Sequence, residues 1–148
     1  MKIAVAVDHA GWPRKADVVE QLRSAGHDVD DLGTDSDESC DYPDYAESAA
    51  RAVSEGRYDQ AVLVCGTGIG MSMAANKIKG IRAAACQSPD AARYSRTHND
   101  ANVLCLGARL NSPEEIHTIL EAWTSSAFTG GRHARRVRKI NALDRNGA

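Results

Sequence analysis

AVLVCGTGIG, residues 61–70, decides how this chain is read. An apolar, β-branched run ends in Cys65, and Cys65 opens directly into the glycine-rich turn of Gly66, Thr67, Gly68, Ile69 and Gly70. The next segment, MSMAANKIKG, reads as a helix. A strand passing through a glycine turn into a helix is the start of a βα unit. It also sets one thiol beside a helix N-terminus, where backbone N–H groups converge and a thiolate is favoured. The turn lacks the dinucleotide pattern GxGxxG, because its glycines read G-x-G-x-G with Met71 and Ser72 behind them, and it lacks the GK[ST] of a P-loop.

Working outward, short apolar runs at 3–7, 61–65, 82–86 and 103–106, with a more polar one at 28–32, predict five strands. Their near-continuous Ile, Val, Ala and Leu content fits a parallel sheet covered on both faces, and the polar DVDDL suits an edge. Helical patterns alternate with them at 13–25, 43–55, 68–78, 89–97 and 113–125. The first places Ala16, Val19, Leu22 and Ala25, with Val18, on one face. The second places Ala46, Ala49, Ala50 and Val53 on one face, and the last opens on Ser112 with an acidic first turn behind it. This alternation implies an open α/β sheet with right-handed crossovers, which binds ligands beyond the carboxyl ends of its strands. After Gly130 and Gly131 the tail changes character. Ala134, Val137, Ile140 and Leu143 form a narrow apolar stripe among arginines and a lysine, as in a separate docking helix over 129–148.

At 148 residues the chain is expected to be one domain spanning 1–148. Hydrophobic residues make up 43% and charged residues 26%, as in an ordinary globular protein, and a net charge of −2 provides no basic field for nucleic acid. No apolar run approaches the roughly 20 residues of a membrane helix, and the start MKIAVAVDHAG lacks the plan of a signal peptide. Cys40, Cys65, Cys86 and Cys105 form no CxxC pair. Free thiols in a reducing cytoplasm, without a metal site or cofactor, are therefore expected.

Residues with chemistry cluster near the expected strand ends: Asp8 and His9 after the first, Cys65 to Gly70 after the third, His98 and Asn99 just before the fifth, and Arg109 after it. Each also has a plainer reading. A strand-end cysteine is often a small buried hydrophobe, Asp8 and His9 can cap a helix, His98-Asn99-Asp100 can be a polar loop, and Tyr42-Pro43 can be a turn. In the tail, Arg132 and Arg136 are four apart and share a helix face, an arrangement suited to a phosphate. Together a thiol base, an amide-lined anion site, a histidine and paired arginines fit proton transfer on a small anionic substrate. Aldose–ketose isomerisation of a sugar phosphate, through an enediolate held by backbone N–H groups, uses these parts.

The segments VDHAG (7–11), DYPDYA (41–46), LVCGTGIGMSMAANKIKGIRAA (63–84), SRTHNDANVLCLGAR (95–109) and GGRHARRV (130–137) occur in order over nearly the whole chain. In them the chain resembles the ribose-5-phosphate isomerase type B family, the RpiB/LacAB sugar-phosphate isomerases. The resemblance implies a Rossmann-like three-layer sandwich with a five-stranded parallel sheet, and a homodimer or tetramer with interfacial active sites and no metal. It implies Cys65 as the base moving a proton between C2 and C1, and His98 as the acid of ring opening, assisted by Thr67. Gly66, Gly68, Ile69 and Gly70 would form an anion hole. Asp8 and His9 would line the sugar and phosphate site with Tyr42 nearby, Asn99 and Arg109 would contact substrate oxygens, and Arg132 and Arg136 would hold the phosphate, part of the set coming from the neighbouring chain of a dimer. A branch of the family uses a glutamate just after the glycine turn; here that residue is Met71, so the chain resembles the cysteine branch. Ribose 5-phosphate is the expected substrate. Allose 6-phosphate, galactose 6-phosphate or a four-carbon sugar phosphate would suit the same chemistry. A non-catalytic sugar-phosphate-binding module and a flavodoxin-like nucleotide binder are the other classes, the latter disfavoured by the missing phosphate motifs.

Overall fold

The structure is a computed structural model and describes residues 1–144. Strands and helices alternate as β1 (Lys2–Val7), α1 (Trp12–Ser24), β2 (Asp28–Asp31), α2 (Tyr42–Ser54), β3 (Gln60–Cys65), α3 (Ile69–Ala75), β4 (Ala83–Ala85), α4 (Pro89–Thr97), β5 (Val103–Gly107), α5 (Pro113–Thr124) and α6 (Arg132–Asn141). The strands form one sheet in the order β2-β1-β3-β5-β4, and every neighbouring pair is parallel. The polar β2 occupies an edge, as its sequence predicts.

Alternation along the strands sorts large from small side chains. Ile3, Val5 and Val7 of β1 face one side with Val62, Val64, Leu104 and Leu106, under α1, α4 and α5. Ala4 and Ala6 face the other with Ala61, Leu63 and Cys65, under α2 and α3. There Ala46, Ala49 and Ala50 of α2 meet the alanines of the sheet, and small residues on both surfaces let helix and sheet approach closely. The result is the expected three-layer α/β sandwich.

Two local details depart from the sequence reading. On α1 the buried stripe is Val18 and Leu22, with Val19 partly covered, whereas Ala16 and Ala25 are exposed. The larger side chains bury more apolar area and set the helix's rotation. The helix after the glycine turn is shorter than expected, Ile69–Ala75, and its last turn unwinds through Asn76, whose side chain pairs with the backbone of Ala83.

The starts of α4 and α5 are capped by serine side chains. Ser88 accepts from the Ala91 N–H, and Ser112 forms a capping box with Glu115. Parallel strands crossing a core with so little aromatic volume put weight on Trp123, which is fully buried and donates through Nε1 to Gln60 Oε1 at 2.8 Å. Replacing Trp123 with Phe removes indole volume and leaves the Gln60 carbonyl oxygen without its donor. Trp123→Phe should lower unfolding free energy by about 2–4 kcal/mol in a urea titration.

Candidate active site

Parallel strands all point one way, so every strand exit lies at one end of the sheet and every entry at the other. The exits collect Asp8 after β1, Cys65 at the end of β3 and Arg109 after β5. Backbone bonds stitch them together: Asp8 N–H to Val64 C=O, Ala108 N–H to Cys65 C=O, and Arg109 N–H to Gly66 C=O. The long connection from β2 runs beside β1, with Thr34 N–H bonded to Val7 C=O, and delivers Cys40 and Tyr42 to the same end.

Cys65 is almost fully buried, and its Sγ accepts a hydrogen bond from Gly68 N–H at 3.1 Å. The turn can point that amide back at sulfur because Gly68 adopts a left-handed conformation, φ 78°. Ile69 N–H is likewise engaged, by Thr67 Oγ1. The amides of Gly66, Thr67 and Gly70 have no acceptor among the described residues. The anion hole expected from Gly66 to Gly70 therefore divides: two of its amides are committed to Cys65 and Thr67, and three are open. Below Cys65 lies Cys105, whose thiol is pushed well above the ordinary thiol value by complete burial and then by the neighbouring thiols of Cys65 and Cys86. The four cysteines are unpaired.

Around this thiol, Asp8 is buried and its Oδ1 accepts from Gly11 N–H at 2.9 Å, which ties the turn ahead of α1; the cap of that helix is Gly11, without a side-chain bond, so Asp8 is not its cap. Its second oxygen makes no hydrogen bond among the described residues. His9 Nδ1 accepts from Cys40 N–H at 3.1 Å, which leaves the proton of a neutral ring on Nε2. The Tyr42 ring lies against Gly70, where a Cβ would fall 2.6 Å from its Cζ, and the Arg109 guanidinium lies over Gly66. Arg109 is exposed and carries no ion pair among the described residues.

His98, Asn99, Arg132 and Arg136 are not at this end. The turn after α4 is tied to the strand entries: Asn102 C=O accepts from Ala61 N–H, Asn102 N–H bonds Arg82 C=O, and the Arg82 guanidinium grips the Asn99 and Asp100 carbonyls. From Asn102 to Gly107 the chain climbs about 16 Å of strand. Helix α6 is fastened at the entry end too, by Thr129 N–H to Thr97 C=O before it and by Arg82 Nη1 to Asn141 Oδ1 at its close. The His98 ring stacks on His133 with centroids 4.2 Å apart. Arg132 and Arg136 are exposed, without ion pairs among the described residues. One chain thus holds two separate clusters: thiol, amides and Arg109 at one end, imidazoles and two guanidiniums at the other. The expectation that His98 and Asn99 share the Cys65 crevice within one chain is corrected, because a segment that leads into a parallel strand lies opposite the segments that leave one.

Sequence reasoning missed Cys40, which contributes its backbone N–H, and His133, which meets a residue 35 positions away; neither has a local signature. A groove of about 830 Å³ between α1 and α5 is lined by none of the candidate residues. No group of three or more His, Cys, Asp or Glu among the described residues is placed to hold a metal, and no helix among them is long and apolar enough to cross a membrane.

The model of the ribose/galactose isomerase family matches residues 3–140. The chain belongs to that family. This isomerase is similar to ribose-5-phosphate isomerase B of Escherichia coli strain K12, 46% identical over 143 residues that cover 97% of this chain and 96% of that protein. It is 40% identical to D-erythrulose-4-phosphate isomerase of Pectobacterium atrosepticum, over 95% of this chain and 93% of that one. The structure of Clostridium thermocellum ribose-5-phosphate isomerase B matches it with a TM-score of 0.95 at 45% identity, covering 97% of each chain. As a member of the ribose/galactose isomerase family the chain is an enzyme of the isomerase class, of the ribose-5-phosphate isomerase B type.

Gly68 carries the geometry of the thiol end. A Cβ there would sit 3.1 Å from the Cys105 carbonyl oxygen, on a backbone at φ 78°. Gly68→Ala should cost about 1–3 kcal/mol of stability in chemical denaturation, a loss that Ser72→Ala, at a half-buried position of α3 with an ordinary helical backbone, should not reproduce.

Proposed function

We propose that this isomerase interconverts ribose 5-phosphate and ribulose 5-phosphate in a site assembled from two copies of the chain. The observation that carries the reading is the strand-exit cluster: a sulfur that accepts a backbone N–H, beside three amides with no acceptor among the described residues. A cysteine base acts through its sulfur, so proton transfer at carbon needs that sulfur held at a fixed point beside an anion site.

The chemistry distributes the roles. His98 of a second copy donates a proton to the ring oxygen of the cyclic sugar as the C1 hydroxyl releases its own to solvent water, breaking the C1–ring-oxygen bond and forming the C1 carbonyl, with Thr67 assisting. The Cys65 thiolate removes the proton from C2. The electron pair moves to the C1 carbonyl oxygen, and the resulting enediolate charge rests on the amides of Gly66, Thr67 and Gly70. The same sulfur returns the proton to C1, while the proton on the C2 hydroxyl moves to O1 as the C2 carbonyl forms. Asp8, His9, Tyr42 and Arg109 hold the sugar hydroxyls, joined by Asn99 from the second copy. Arg132 and Arg136, also from that copy, bind the phosphate as a paired guanidinium clamp. Gly68 and Ile69 contribute by shaping the turn and orienting Cys65 and Thr67.

The roughly 16 Å between the clusters supports assembly from two copies. A two-fold dimer that sets the exit end of one chain against the entry end of the other makes two such sites. Exposed apolar side chains near the exit end, Ile69, Met73 and Tyr42, and on the tail, Ile140 and Leu143, would be covered by it. A second reading keeps the chemistry and shortens the sugar. It is favoured by the 40% identity to an isomerase named for a four-carbon sugar phosphate, and a panel of four- to six-carbon aldose phosphates compared by kcat/KM decides between them.

Cys65→Ala should fold normally and lower turnover by about 10²–10⁴; near-normal turnover removes the base assignment. Arg136→Ala should raise KM for the phosphorylated sugar about tenfold with a smaller change in kcat. When inactive Cys65→Ala and inactive His98→Asn chains are unfolded and refolded together, mixed dimers carry one site with both residues native. Activity should return to about a quarter of wild type, whereas sites built within single chains would give none.

A further inference from the structure

His98 does not stand alone at the entry end. On one side its imidazole meets the ring of Tyr94, one helical turn earlier on α4, with centroids 4.9 Å apart and planes tilted by 32°. It also meets His133 of α6, with centroids 4.2 Å apart and planes within 9° of parallel. The Arg93 guanidinium lies 4.8 Å over the Tyr94 ring and extends the series to a fourth group. Arg93, Tyr94, His98 and His133 form a ladder of flat groups spanning two helices that are far apart in sequence.

The ladder is fastened by the backbone. Thr129 bonds the Thr97 carbonyl twice, through N–H at 3.1 Å and Oγ1 at 2.9 Å, immediately before His98. Gly130 and Gly131 then turn the chain with φ 67° and 58°, so that α6 starts with His133 facing His98. His98 is the C-cap of α4, and its N–H is held by Tyr94 C=O at 2.9 Å. A cap residue has its backbone fixed and its χ angles free, so the rings on it decide which way the imidazole nitrogens point.

We propose that His133 is a positioning residue for His98, its ring holding the plane in which His98 presents its proton to the substrate. This rests on the ring-opening role of His98 under Proposed function. Burial, and after it the charges of His98, Arg132 and Arg136, pushes His133 below the ordinary histidine value, which favours the neutral form of the supporting ring. A neutral ring can stack on its neighbour in either protonation state without charge repulsion, whereas two imidazolium rings at this spacing would repel. Because His133 lies between Arg132 and Arg136 on the first turn of α6, one rigid turn carries both the phosphate clamp and the support for the acid. Phosphate capture and alignment of the proton donor are thereby mechanically joined.

The test compares His133→Ala, His133→Phe and His98→Asn in the full-length dimeric enzyme, with ribose 5-phosphate as substrate and the His98 ring-proton NMR signals as a second readout. His133→Ala should lower kcat about tenfold and change KM less than about twofold, and it should move the His98 signals in the unliganded protein. His133→Phe keeps a ring without a titrating nitrogen and should return kcat to within about threefold of wild type. A rise in KM at unchanged kcat for His133→Ala would make His133 a phosphate ligand and overturn the proposal, as would failure of His133→Phe to restore kcat. Unmoved His98 signals in His133→Ala would overturn it as well. His98→Asn separates the two levels: if it turns over normally, the ring-opening role of His98 fails, and if it is slow while His133→Ala is not, only the inference about His133 fails.

Discussion

The length of a buried parallel strand governs this molecule more than any single contact. Each of the five strands rises in the same direction between two helical layers, because the apolar runs at 3–7, 61–65 and 103–107 leave no polar face for water. A residue just past the end of a strand is therefore kept about 16 Å from one just before its start, and no loop movement short of unfolding closes that gap. Cys65 and His98 are separated by this rule. The proposed chemistry, which joins a thiol base to an imidazole acid, would draw on a second chain for the same reason, and the exposed apolar side chains at both ends are the surface such a chain would cover.

At each end the side chains are ordered by backbone groups. Cys65 takes the Gly68 N–H, Thr67 takes that of Ile69, His9 takes that of Cys40, and Asp8 takes that of Gly11. Backbone donors move less than side chains, so the groups proposed to meet the sugar are held without a large shell of buried charge. The guanidiniums of Arg109, Arg132 and Arg136 are the exception. They stay exposed and unpaired among the described residues.

The layers were legible in the sequence because strands buried on both faces must be apolar throughout, and because Ser112 announces its helix by capping chemistry. The alanine face of α2 was legible from its helical spacing. The face of α1 was misassigned, since Ala16 and Ala25 satisfy the periodicity as well as Val18 does and only packing volume separates them. At the site, the strand-end thiol and its turn were readable as one local unit. The partition of the turn's amides was not, because it depends on where Gly68 and Thr67 point after folding. His98 and Asn99 were recognisable as polar residues near a strand, but their end of the sheet is set by strand direction rather than residue type. The His98–His133 stack joins two helices through a double glycine turn, and nothing near either histidine in the sequence encodes the other.

The single N–H that Gly68 gives to Cys65 has a stereochemical consequence. A sulfur held at one point cannot travel around a flat intermediate, so it meets only one of its two faces. Within the proposed chemistry, the proton leaves C2 and arrives at C1 on the same side of the enediolate plane. Handedness at the carbon is then fixed by a glycine that has no side chain of its own and by the left-handed backbone that only such a residue adopts at little cost.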